Sequence, residues 1–182
     1  MLEKIDKAFG RVNFVIGKVL SILLLLMILN VFYDVITRYF LHNSSVAMQE
    51  LEWHLFGIIF LFGIPVALLD EGHVRVDFLY DRFALRTKAL INIIGTVFFL
   101  LPLALLIFFG SLDFVIDAYE IKEISQDPGG LPYRWFIKAM IPVSFALLIV
   151  FSFGYTVKNI IIYRGSERER RKTALPGREA KS

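Results

Sequence analysis

Two groups of side chains in this sequence have the types and spacing to do chemistry. Asp34 and Arg38 stand four residues apart, which places them on one face of a helix. Glu50 and Glu52 follow at the opening of the next apolar run. A charge at the centre of a bilayer costs about 2.5–3.5 kcal/mol on insertion scales, so any of the four that is immersed must find a partner. They could line an ion or substrate path, or they could clamp two helices together. A path needs polar stations at several depths, and the middles of the later apolar runs offer almost none. The expectation is therefore a clamp, with Arg38 bound to Asp34 and one of the glutamates. His42 and His54 flank the same region, and two imidazoles on neighbouring helices can hold a haem iron axially. That gives a redox-enzyme membrane anchor as the alternative, against histidines merely wet at an interface. The sequence has no Cys, which removes disulfides, thiolate metal sites and a Cys nucleophile together. It also has no phosphate-cradling Gly loop, no G-x-S-x-G and no H-E-x-x-H. The expectation is no catalytic, cofactor-binding or metal-binding residue.

The elements that position these groups are membrane spans. Hydrophobic residues make up 57% of the 182, with 18 Phe and a mean hydropathy of +0.64. That exceeds the apolar share of soluble domains, and it is gathered into four uncharged runs: Val19–Tyr33, Trp53–Leu69, Ala89–Leu112 and Ala139–Val157. A spanning helix needs about 20 residues. The short first run reaches this if Lys18 snorkels to one interface and Asp34 lies near the other. Lipid forces backbone groups to pair within each segment, so the fold class is all-α integral membrane, a four-helix domain over 1–163. The expected spans are about 15–38, 51–69, 88–113 and 136–160, with a charged tail, 164–182. The first run reads as a retained anchor rather than a cleaved signal, because no small-x-small site follows it.

Charge distribution sets the expected orientation. With a cytoplasmic N-terminus, sixteen of the 20 basic residues lie inside, leaving only Arg38, Lys122, Arg134 and Lys138 outside. By the positive-inside rule both termini are cytoplasmic. A net charge of only +3 gives nucleic-acid binding little support. Leu2, Ile5, Phe9, Val12 and Ile16 follow helical spacing and make an amphipathic lead-in, lying along the inner interface or running straight into the first span. Val76, Leu79, Tyr80 and Phe83 suggest a second short interfacial helix. The third span should continue until Asp127-Pro128-Gly129-Gly130 stops it. Gly57, Gly63 and Ala67 put small residues on about one side of the second span, for packing within the bundle or against another subunit. The basic tail suits contact with membrane lipids.

These features together resemble the small membrane subunit, DctQ-like, of tripartite ATP-independent periplasmic (TRAP) transporters. The resemblance rests on Val35-Ile-Thr-Arg38-Tyr-Phe40, Gln49-Glu-Leu-Glu-Trp-His-Leu55, Glu71-Gly-His73-Val-Arg-Val-Asp77 and Gly130-Leu-Pro-Tyr-Arg-Trp135 with Ile141-Pro142. It covers about residues 5–162. The resemblance implies a non-catalytic scaffold in the bacterial cytoplasmic (inner) membrane. Its implied partners are a large TRAP membrane subunit and a periplasmic substrate-binding protein, serving sodium-driven import of organic anions. Asp34, Arg38, Glu50, Glu52 and Trp53 would then form the outer clamp and a docking rim. His73, Arg75 and Asp77 would order the cytoplasmic turn.

Overall fold

The computed structural model describes the backbone of residues 2–70 and 83–174, and the side chains of 5–70 and 83–165. Regular structure among these residues is entirely helical. The elements are α1 (Leu2–Phe40), α2 (Val46–Leu69), α3 (Leu85–Gly95), a π-helical turn (Thr96–Leu100), α4 (Leu101–Gly110), α5 (Leu112–Glu120) and α6 (Arg134–Ala174). Four stretches are long and apolar enough to cross a membrane: Ile5–Phe40, Val46–Leu69, Leu85–Glu120 and Arg134–Gly165. The third consists of α3, the π turn, α4 and α5 joined end to end. Its π turn lies directly before Pro102. Proline has no N–H to give the ladder, and a widened turn is one way a helix accommodates that loss.

The amphipathic lead-in runs without a break into the first span, so it does not lie apart along an interface. What directs it is visible at Phe9. Its ring meets Phe151 of α6 edge to face, with centroids 6.0 Å apart, and rests on Gly154. A Cβ at Gly154 would stand 2.6 Å from that ring. Gly154→Leu should therefore destabilise the fold. Overpacking costs about 1–3 kcal/mol, against roughly 1 kcal/mol gained by replacing a helical glycine. In a Phe9→Ala background the penalty should vanish. Thermal unfolding of the four proteins of that cycle checks it.

Helix α6 is the organising element, packing against every other described helix, whereas α1 contacts α2 and α6. The core is Leu68, Ala104, Leu148 and Tyr155, with Ile64, Leu100 and Phe145 packed around them. The interior is less dry than the sequence suggested. Ser144, Ser152 and Asn159 of α6 and Thr96 of the third span are all buried. Their polar atoms are used locally: Ser152 donates to the Leu148 carbonyl at 2.7 Å and Thr96 to the Asn92 carbonyl at 2.8 Å. Asn92 reaches across to Asn159 at 2.9 Å. Back-bonding of this kind satisfies a hydroxyl where no water is present. Outward, Phe98, Phe99 and Leu106 are about 70% exposed, the surface expected of helices bathed in lipid or in another subunit.

The third span also ends earlier than Asp127-Pro128-Gly129-Gly130 would stop it. Lys122 adopts a left-handed φ of 50°. The Glu123 N–H reaches the Ala118 carbonyl at 2.9 Å and the Lys122 N–H reaches that of Tyr119 at 3.1 Å. This pair of bonds is the Schellman termination, which normally employs glycine at the left-handed position. Lys122→Gly should accordingly stabilise the protein by about 0.5–1 kcal/mol, read as a raised melting temperature with unchanged helix content.

Candidate functional site: the polar rim

One end of the bundle collects Asp34, Arg38, Glu50 and Glu52, and α1 supplies the first of them. Asn30 and Asp34 lie one turn apart, both buried, facing α2. Asn30 donates its amide to the Met48 carbonyl at 2.9 Å, which ties α1 to the first turn of α2. Asp34 Oδ2 pairs with Arg38 one turn further along. The Asp34 side chain is 4% exposed and the Arg38 side chain 45%. The pair thus has a buried anionic end and a cation that faces outward. Asp34 Oδ1 and Glu52 Oε1 are buried with no hydrogen-bond partner among the described residues. Glu52 nevertheless feels the charges of both Asp34 and Arg38.

Glu50 takes a different course. Helix α2 begins at Val46, behind Ser45, so Glu50 lies past the first turn rather than at the helix mouth. Its carboxylate is engaged by the segment between α5 and α6. Oε1 accepts the Ser125 hydroxyl, and Oε2 accepts the Leu131 N–H at 2.5 Å. The segment is folded to meet it. Gly129 has φ 85°, the Gly130 N–H bonds to the Asp127 carbonyl at 3.0 Å, and the Ser125 N–H bonds to that of Leu131 at 3.2 Å. Gly130 must be glycine here, because a Cβ would overlap Ser125 and stand 2.8 Å from Glu50 Oε2. The segment is anchored at its other side by Glu123, whose carboxylate receives Lys138 at 2.5 Å with Arg134 at 3.8 Å. Lys138 also sits 3.9 Å above the Phe114 ring. Arg134 Nε is buried without a hydrogen bond among the described residues.

Glu50 forms one wall of a cavity of about 270 Å³, with Gln49, Trp53, His54, Asp127 and Arg134 around it. Trp53 is 74% exposed and meets Phe56 edge to face at 6.5 Å. The other histidine of this end, His42, is exposed in the α1–α2 turn with φ 50°. His54 directs Nδ1 to the Glu50 carbonyl of its own helix at 2.5 Å. The arrangement offers charged, aromatic and amide groups for gripping another protein. Among the described residues, no three metal-binding side chains converge.

The structure therefore divides the residues singled out from the sequence. Asp34, Arg38 and Glu52 share one cluster, while Glu50 and Trp53 face a second site. Within α2, a Cβ at Gly57 would lie 3.9 Å from Ile137 of α6, one at Gly63 would meet nothing within 4 Å, and Ala67 is half-buried. His73, Arg75 and Asp77, and the short helix expected from Val76 onward, lie outside the described residues. Sequence reasoning missed the roles of Ser125, Glu123 and Lys138, and took Gly130 only as a helix stop and part of a family motif. Only the Gly-Gly turn signal pointed toward them, since a carboxylate accepting a distant backbone N–H leaves no mark on local spacing.

The family model described as "Tripartite ATP-independent periplasmic transporters, DctQ component" matches residues 27–160. The chain belongs to this family. The match takes in the whole polar rim, from Asn30 through Lys138. Among curated proteins, the chain is similar to the isethionate TRAP transporter permease protein DctMQ of Oleidesulfovibrio alaskensis. The two are 29% identical over 136 residues, covering 70% of this chain and 20% of that protein. It is also similar to the sialic acid TRAP transporter permease protein SiaT of Haemophilus influenzae. There the identity is 28% over 120 residues, covering 66% of this chain and 18% of that protein. The DctQ-like chain thus spans about a fifth of the length of these relatives. No solved structure matches it.

Proposed function

We propose that this chain is the non-catalytic small permease subunit of a TRAP transporter. It scaffolds a large sodium-coupled membrane subunit and helps a periplasmic substrate-binding protein to dock, for import of organic anions across the bacterial inner membrane. The observation that carries this reading is the family match, joined to relatives in which the matching part is about a fifth of a longer permease. The remaining length of such proteins suggests where the transporting machinery resides. The fold supports a static role, because buried Thr96, Ser152 and Asn159, in α6 and the third span, spend their donors on carbonyls of their own helices. Isethionate and sialic acid, in the names of the relatives, are both organic anions, which favours the same substrate class here. The charge asymmetry between loops favours both termini in the cytoplasm. The polar rim would then face the periplasm, where Trp53, Arg134 and Asp127 are available to a soluble partner.

Reconstitution tests this. Liposomes holding the chain alone should show no sodium-driven uptake of organic anions. Liposomes holding the chain with a cognate large subunit should show uptake once the binding protein is added outside. Uptake by the chain alone would refute the scaffold role.

A further inference from the structure

At the end of the bundle opposite the polar rim, α1 and α2 enclose a second polar recess. It has a volume of about 450 Å³ and is lined by Gly10, Asn13, Phe14, Gly17, Lys18 and Ser21 of α1, with Asp70 at the end of α2. The α1 residues share one helix face over eleven positions, or about 16 Å. The recess therefore runs from the charged lead-in down into the apolar run. Two glycines keep it open: a Cβ at Gly10 would meet nothing within 4 Å, and one at Gly17 would only touch Val66 at 3.9 Å.

Its charges are few and of both signs. Asp70 is the C-cap of α2, so a carboxylate stands where the helix dipole is already negative. That combination is unfavourable for the helix and attractive to a hydrogen-bonding cation. Asn13 is 4% exposed and donates to Asp70 Oδ1 at 2.7 Å, holding it in place, while Asn13 Oδ1 has no partner among the described residues. Lys18 supplies the opposite charge. Its ammonium folds back over the Phe14 ring at 4.6 Å, toward the lead-in and away from the apolar run.

From this we infer that the recess binds a phospholipid with a primary ammonium headgroup, a phosphatidylethanolamine. The ammonium is received by Asp70 at the negative end of α2, the phosphate by Lys18, and an acyl chain follows the Gly17–Ser21 side of α1. The charge pattern selects the class. A phosphatidylglycerol would bring no cation to Asp70, and a phosphatidylcholine headgroup has no N–H to donate. This site is independent of the transport role, since it needs only a membrane.

Delipidated full-length protein in detergent, titrated separately with phosphatidylethanolamine, phosphatidylcholine and phosphatidylglycerol and read by native mass spectrometry, tests the proposal. One phosphatidylethanolamine should be retained about tenfold more tightly than the same-chain phosphatidylcholine, the factor expected of roughly one charge-assisted hydrogen bond. Asp70→Asn, which keeps an acceptor for Asn13, should abolish the preference. Gly10→Leu should block the recess while leaving the melting temperature in lipid-free detergent unlowered. Equal retention of the three lipids, or a preference that survives both substitutions, would overturn the assignment.

Discussion

Removing the Arg38 guanidinium, as in Arg38→Ala, is expected to destabilise the bundle by about 2–4 kcal/mol. The magnitude follows from the asymmetry of the pair. Asp34 is held at 4% exposure with Oδ1 already lacking a hydrogen-bond partner among the described residues, and Glu52 brings a second carboxylate within electrostatic reach. Without Arg38, two acids would face one another across the α1–α2 interface with no cation between them. The range lies below the usual cost of breaking a fully buried pair because the Arg38 side chain is 45% exposed and water screens part of its charge. The double variant Arg38→Ala/Asp34→Asn should recover most of the loss, since it removes the stranded charge and keeps the shape. Chemical denaturation in detergent micelles measures both. An Arg38→Ala protein as stable as the parent would show that the pair contributes little. A double variant no better than the single one would place the effect in lost packing instead.

Gly130→Val carries the second large effect. Its Cβ would overlap Ser125 and stand 2.8 Å from Glu50 Oε2, so the segment between α5 and α6 has to lift off α2. Strain of this kind costs about 1–3 kcal/mol. The displaced segment also gives up the Ser125 and Leu131 bonds to Glu50. Glu50→Ala removes the same bonds from the other side and should cost about 1–2 kcal/mol, with rim water replacing part of the interaction. The two changes act on one contact, so the double variant should lose less than the sum of the singles. Hydrogen exchange localises the event: protection at the Leu131 and Ser125 amides should fall in both variants, while that of Ser152 and Tyr155 in the α6 core should hold. Under the proposed function, both variants should also weaken docking of the soluble partner, because Glu50, Asp127 and Arg134 line the same cavity.

Much of the fold was legible because lipid restricts a chain to few options. Four apolar runs become four helices wherever the backbone must satisfy itself, and the i, i+4 spacing of Asp34 and Arg38 brings them together on any helix. Helix ends were less legible. The third span ends at Glu120 instead of running to the Asp-Pro-Gly-Gly turn, because Lys122 takes a left-handed conformation that sequence preference alone assigns to glycine. Glu50 was read together with Glu52 as a possible partner of Arg38. Two residues apart on a helix, they point some 200° apart, and only the placement of the Ser125–Leu131 segment fixed what Glu50 meets.

By itself the sequence determined the solvent of this protein, the number of its spans and the family to which it belongs, because composition, run length and local motifs are properties of consecutive residues. The tertiary structure decided which charges meet. Glu50 bonds to residues 75 and 81 positions away, Asn13 to Asp70 at a separation of 57, and Phe9 rests on Gly154. Each of these contacts depends on how α1, α2 and α6 are rotated and offset against one another. Packing of whole helix faces sets that rotation, and no local pattern of residues encodes it.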